Sequence, residues 1–165
     1  MKNLIFIFLF VITQFLLGCS SSYLVTKNGD GGDEMSYKEF NREIKSENVT
    51  VNFKKGLESD GFNIRVDTDY ARWHDFNLQE TQSIQTGLLK TVVRQNNFLG
   101  GLEGFGLGLL SGAALFYLAG SLGIRGDGEL DWHATMPIFG GLVGGIAGAI
   151  IGAITGHKYK YSFKK

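Results

Sequence analysis

Side chains able to do chemistry are few in this chain and stand far apart. The three histidines, His74, His133 and His157, share no His-x-x-x-His or His-x-His spacing, and the single cysteine, Cys19, leaves no Cys-x-x-Cys pair. A metal centre needs several ligands converging with fixed geometry, and isolated residues of this kind do not announce one. Arg72-Trp73-His74-Asp75 sets a histidine beside an aspartate. Neighbouring strand residues point to opposite faces, however, and no nucleophile stands at a recognisable elbow. Asn28, Asp30 and Asp33 resemble the start of a calcium loop, but an EF-hand wants glycine at its sixth position, where Asp33 stands. Asp127, Glu129 and Asp131 could together hold a divalent cation, but the reading preferred for them is a solvated turn. Gly100-Gly101-Leu102-Glu103-Gly104 is no phosphate loop, because no Gly-Lys-Ser/Thr follows. The expectation is a protein without catalytic residues, metal or cofactor, and not an enzyme.

The regularity of the chain lies elsewhere. Glycine recurs every fourth residue at Gly100, Gly104, Gly108 and Gly112, and again at Gly140, Gly144, Gly148, Gly152 and Gly156. Positions four apart share one helix face, so each run predicts a helix with a bare groove into which a neighbouring backbone can press. In water each interior glycine costs about 0.8–1.0 kcal/mol relative to alanine, whereas helix packing in lipid favours small residues. Between Glu103 and Arg125 lie 21 residues without charge, and between His133 and His157 another 23. A hydrocarbon core of about 30 Å needs roughly 20 helical residues, so both are long enough to span. Leu109, Leu110, Leu115, Ile146, Ile150 and Ile154 occupy several faces, whereas a soluble amphipathic helix keeps one face polar. The polar segment from Arg125 to His133 reads as the turn of a hairpin, Pro137 as a first-turn residue of the second helix, and Tyr117 and Trp132 as interfacial aromatics. Glu103 suits the start of the first helix.

The N-terminus indicates a compartment. Lys2 precedes an apolar run from Leu4 to Leu17 that closes with Leu16-Leu17-Gly18-Cys19, the pattern of a secretory signal peptide. Its last four residues resemble the lipobox of bacterial lipoproteins. That resemblance implies cleavage before Cys19, which then carries a diacylglyceryl thioether and an N-acyl chain such as palmitate; two or more chains anchor stably. Ser20 in the next position implies, for lipoproteins of the enterobacterial type, the outer membrane facing the periplasm, with the inner membrane as the alternative. The chain without residues 1–18 loses Lys2 and so has 15 basic against 16 acidic side chains, a balance that offers nucleic acid no field.

Of 24 glycines, 17 fall between residues 98 and 157, which marks a boundary near Phe98. The expected organisation is a signal peptide over 1–18, a lipidated tether over 19–35, a small β domain over 36–97 plus 158–165, and a helical hairpin over 98–157. Ser36 and Glu39 form a capping-box pair ahead of Tyr37, Phe40 and Ile44 at helical spacing. Period-two runs then predict strands: Val49, Val51 and Phe53; Phe62, Ile64 and Val66; Tyr70 to Trp73; residues 82–85; residues 88–94; and residues 158–163, which should return to complete the sheet. The predicted fold class is α+β, with a short N-terminal helix, a small antiparallel curled sheet or barrel, and a transmembrane-type hairpin inserted before the last strand.

Tyr37-Lys38-Glu39-Phe40-Asn41, Val49 to Phe53, Ser83-Ile84 ahead of Val92-Val93, the two glycine runs and His157 to Phe163 together resemble a class of uncharacterised bacterial lipoproteins. In that class a small Sm-like barrel carries a glycine-zipper hairpin before its last strand, and the resemblance implies no activity or ligand. The zipper also resembles the two-helix module of surface-antigen lipoproteins. The expected role is structural or protein-interacting: membrane lipid as one partner, an envelope protein as another, and a homo-oligomer joined through the glycine faces as a third possibility. The alternative is an oligomeric pore, for which the stretches offer Ser111, Ser121, Thr135 and Thr155 as polar lining.

Overall fold

The computed structural model describes residues 20–29, 34–121 and 132–164. Cys19 with the signal segment, Asp30 and Asp33, and the polar turn with Asp127, Glu129 and Asp131 lie outside the described residues, as do the side chains of Trp132 and His133. The described chain is mixed α+β, with one eight-stranded sheet and three α-helices, two of them long and apolar. It divides into two compact units, residues 20–95 with 158–164, and residues 96–157.

The first unit is the sheet with one helix. Its elements are β1 (Ser20–Thr26), β2 (Glu34–Ser36), α1 (Tyr37–Glu43), β3 (Asn48–Phe53), β4 (Glu58–Val66), β5 (Tyr70–Asp75), β6 (Thr81–Gln85), a 3₁₀ turn (Thr86–Leu88), β7 (Leu89–Asn96) and β8 (His157–Phe163). The strand order is β2-β1-β8-β7-β3-β4-β5-β6. From β3 to β6 the chain meanders antiparallel, and β7 pairs antiparallel with β3. The last strand therefore enters the sheet begun before the insertion, between β7 and β1.

Two expectations are corrected here. Residues 20–26, assigned by composition to a tether, form β1, and the sheet is not purely antiparallel, because β1 runs parallel to both β2 and β8. Aromatic stacking accounts for this pairing. Tyr23 is the register partner of Tyr161, their rings stack at 5.5 Å, and the Tyr159 ring stacks with Tyr23 at 6.5 Å; cross-strand aromatic pairs of this kind stabilise a ladder. Val25, two residues on, is fully buried.

Helix α1 is seated by its cap and by one side chain. The Ser36 hydroxyl accepts from the Glu39 N–H and the Glu39 carboxylate accepts from the Ser36 N–H, closing the capping box. Phe40 and Ile44 are fully buried, and Asn41 mimics a strand neighbour, accepting from the Val66 N–H at 2.8 Å and donating to its carbonyl at 2.7 Å. Tyr161 completes the contact from β8: its ring meets Phe40 edge-on at 5.2 Å, and its hydroxyl donates to Glu43 at 2.8 Å. Burial first, and then the Glu43 carboxylate, push its phenol well above the usual range.

Period two fails at one place. The register moves from Phe62↔His74 to Arg65↔Arg72, three residues on β4 against two on β5. The extra residue is a bulge, and Asn63 beside it adopts a left-handed φ of 59°, which asparagine tolerates. Ile64 and Val66 keep to the core with Ala71 and Trp73, but Phe62 is turned to the opposite face, where His74 meets its ring at 4.9 Å and Phe76 stacks on it at 5.4 Å. The expectation that Phe62, Ile64 and Val66 share a face is thus corrected. Gly56, in the turn after β3, has a φ of 80°, a conformation that suits a residue without Cβ.

Asp75 ends the inward row of β5 and is satisfied there. It accepts from the Ser59 hydroxyl at 2.6 Å and from the N–H groups of Asn77 and Leu78, while Ser59 in turn accepts from the Trp73 indole at 2.8 Å. The Ser59 hydrogen bond, followed by the Leu78 N–H, holds its carboxyl below the usual range. A depressed acid contributes stability that is complete above the ordinary carboxylate pKa of about 3.9 and is lost as pH falls through the lower folded value. Asp75→Asn should therefore lower the urea midpoint of the full chain near neutral pH, and its deficit against the parent should shrink below about pH 3; a deficit constant across pH would refute this. Tyr161→Ala should destabilise by about 3–5 kcal/mol, read from the same unfolding curves.

Candidate functional site in the helical hairpin

The second unit is a pair of antiparallel helices, α2 (Asn97–Ser121) and α3 (Trp132–Thr155). At 1.5 Å per residue they are about 37 and 36 Å long. Both are long and apolar enough to cross a membrane. Asn96 starts α2 by accepting from the Leu99 N–H at 2.9 Å, a side-chain cap of the kind that satisfies an orphan donor. The second helix begins earlier than expected: Pro137 sits inside α3, beyond the first turn that begins at Trp132.

The glycines of the two helices meet face to face. A Cβ placed on Gly104 would collide with the carbonyl oxygen of Gly148, one on Gly108 with that of Gly144, one on Gly112 with that of Gly140, and one on Gly100 with that of Gly152. The converse holds from α3, where Gly140, Gly144, Gly148 and Gly152 are blocked by the carbonyls of Gly112, Gly108, Gly104 and Gly100. Each backbone occupies the place where its partner's side chains would begin. Gly156 plays a different part from the helical glycine predicted for it. It lies just past α3 with a φ of 64°, its N–H bonds the Gly152 carbonyl at 2.8 Å, and it still packs against Gly100. A left-handed glycine after the last helical residue is the usual terminator of a helix. The two rows are filled by each other within one chain. Gly106, by contrast, faces open space.

The large side chains point the other way. Leu110 is 68% exposed, Ile146 59% and Ile154 73%, while Gly104, Gly108, Gly112 and Gly148 are buried. This inverts the arrangement of a water-soluble helix pair, in which the aliphatic side chains meet at the interface. Three hydroxyls of the hairpin are turned back on their own helices: Ser111 donates to the Gly108 carbonyl, Ser121 to Leu118, and Thr155 to Ile151 and Gly152. Where the helices begin and end, His157 Nδ1 lies 2.9 and 3.0 Å from the two carboxylate oxygens of Glu103, with the imidazole 9% exposed. Sequence reasoning placed both residues at helix ends without pairing them; 54 residues separate them, and only the antiparallel return of α3 brings them together.

Elsewhere among the described residues the chemically capable side chains do not converge. His74 packs on Phe62 rather than against Asp75, whose oxygens are taken by Ser59 and two N–H groups. Among the described residues no group of three His, Cys, Asp or Glu is placed to hold a metal ion. Comparison of the chain with protein families, curated proteins and solved structures returned no match.

The two kinds of glycine make a paired test. Gly108→Ala should destabilise the hairpin by about 1–3 kcal/mol through overpacking, seen as a lower thermal midpoint in detergent micelles. Gly106→Ala should leave the midpoint unchanged or raise it by up to about 1 kcal/mol in stability, as helix propensity dictates. Equal effects of the two would show that backbone contact is not what holds the helices together.

Proposed function

We propose that this is a lipid-anchored bacterial envelope protein whose glycine-zipper hairpin is embedded in a membrane, with a structural or protein-interaction role and no catalysis. The observation that carries this reading is the inverted packing of the hairpin, glycine inside and leucine, isoleucine and phenylalanine outside. In water that surface is unfavourable by about 25 cal/mol per Å² of exposed apolar area. In acyl chains it costs nothing, and helix association then rests on close backbone packing. The hydroxyls bonded to their own helices fit the same solvent, because lipid offers them no partner.

The curled β domain, proposed to be of the Sm-like kind, would offer its surface to an envelope partner. Acylated Cys19 supplies a second anchor, with the outer membrane facing the periplasm as the proposed site and the inner membrane as the alternative. The pore reading is less well supported, since Ser111, Ser121 and Thr155 spend their donors on backbone. Any oligomer would have to use faces other than the paired glycines, which are already occupied.

Single-cysteine variants Leu110→Cys and Ile146→Cys, in a chain whose own thiol is acylated, test the embedding. Neither should react with a membrane-impermeant maleimide in intact membranes, whereas Lys90→Cys on the β domain should react once the envelope is permeabilised. Ready labelling of all three would overturn the proposal. Cys19→Ala should abolish fatty-acid incorporation and leave the uncleaved precursor; undiminished labelling would remove the lipoprotein assignment.

A further inference from the structure

The β unit carries a cleft that the envelope reading does not use. It has a volume of about 440 Å³ and a floor formed by Tyr37, Leu89 and Phe163, and three lysines, Lys27, Lys54 and Lys164, stand around it. These lysines arrive from three separate strand ends: Lys27 directly after β1, Lys54 directly after β3 and Lys164 directly after β8. Backbone bonds fix where two of them leave the sheet, from the Lys54 N–H to the Leu88 carbonyl at 3.0 Å and from the Lys164 N–H to the Val25 carbonyl at 3.3 Å.

No carboxylate lines the cleft, and among the described residues none of the three lysines has an acidic partner within ion-pair distance. Two acids flank the lining residue Thr68, and neither lines the cleft: Asp67, whose oxygens are taken by the N–H groups of Asp69 and Tyr70 and by Arg72, and Asp69. Three like charges around one concavity repel one another and focus a positive potential inside it. Thr86, on the wall, spends its hydroxyl on the Asp67 carbonyl, whereas Tyr37 sits at the floor, and burial holds its phenol above the usual range. It stays a neutral donor at any physiological pH.

We propose that this cleft binds a phosphate monoester carried on an apolar body, the lysines holding the phosphate and the Tyr37–Leu89–Phe163 floor the ring or alkyl chain. Lysine serves phosphate as a point charge, and a dianion answers several cations where a monocarboxylate answers one. The apolar floor sets the second requirement, since ligand pockets combine an apolar lining with a few placed polar groups. The phosphate can come from a lipid headgroup or from a soluble ester; the chemistry is shared.

The test uses the full chain in a neutral detergent. Phenyl phosphate should bind saturably in calorimetry, and inorganic phosphate, which cannot use the floor, about tenfold more weakly. Lys54→Gln combined with Lys164→Gln should weaken phenyl phosphate about tenfold, in line with the loss of two exposed ionic contacts, and Lys54→Glu should abolish it. Lys90→Gln, at an exposed lysine on β7 that does not line the cleft, should leave it unchanged. Both sources support the site and are told apart by one comparison: tighter binding of lysophosphatidic acid than of phenyl phosphate assigns a lipid headgroup, and the reverse assigns a soluble ester. Absence of saturable phenyl phosphate binding, or equal affinity in the Lys54/Lys164 variant and in Lys90→Gln, overturns the proposal. Because the cleft lies wholly within the β unit, loss of binding says nothing against the embedded hairpin, and the maleimide result says nothing about the cleft.

Discussion

The hairpin depends on the exclusion of one atom type. Along α2 and α3 a backbone carbonyl of one helix occupies the position at which a Cβ of the other would start, so any residue but glycine forces the helices apart. Helices this close gain many weak backbone contacts at once, and individually small dispersion terms add up when they are numerous. The same closeness leaves no room for a larger side chain within the paired glycine rows: Phe105 and Phe116 lie at their margins, against Gly145 and Gly140, and the large aliphatic side chains Leu110, Ile146 and Ile154 face outward. Exposed Leu110, Ile146 and Ile154 are therefore a direct result of the buried glycines, and the proposed lipid environment follows from both.

The β unit depends on its final strand in an analogous way. β8 lies between β7 and β1, and Tyr161 within it is fully buried, touching Tyr23 of β1 and both Phe40 and Glu43 of α1. The core is thus complete only when the chain that follows the excursion has returned as β8. Pairing of the first described strand with the last is the most non-local contact in the sheet, a class of contact that slows folding because loop closure precedes its reward.

Much of this was legible from residue types alone. The capping box named α1, alternation named β3 to β8, and fourfold glycine spacing named both long helices and the face each would present. What escaped did so for physical reasons. In β1 three serines and a following polar segment hid the alternation of Tyr23 and Val25, whose burial depends on the partner strand β8. At Asn63 the alternating pattern continues unbroken through a bulge, so Phe62 reads as core although it faces outward. Pro137 looked like a helix start because sequence marks where proline is cheapest, and α3 nonetheless begins at Trp132. The Glu103–His157 pair and the three-lysine cleft are assembled from distant segments, and no local window contains them.

Gly100, at the start of α2, packs against Gly156, just beyond the end of α3. The polypeptide therefore departs and comes back through a single doorway between two adjoining strands, and sixty residues of excursion add almost no gap to the sheet's own connectivity. Such an arrangement behaves as a cassette. A short loop joining Asn96 to His157 could replace the whole excursion, and over evolutionary time a pair of rods could be acquired, exchanged or discarded at this doorway without redesign of the fold that hosts it.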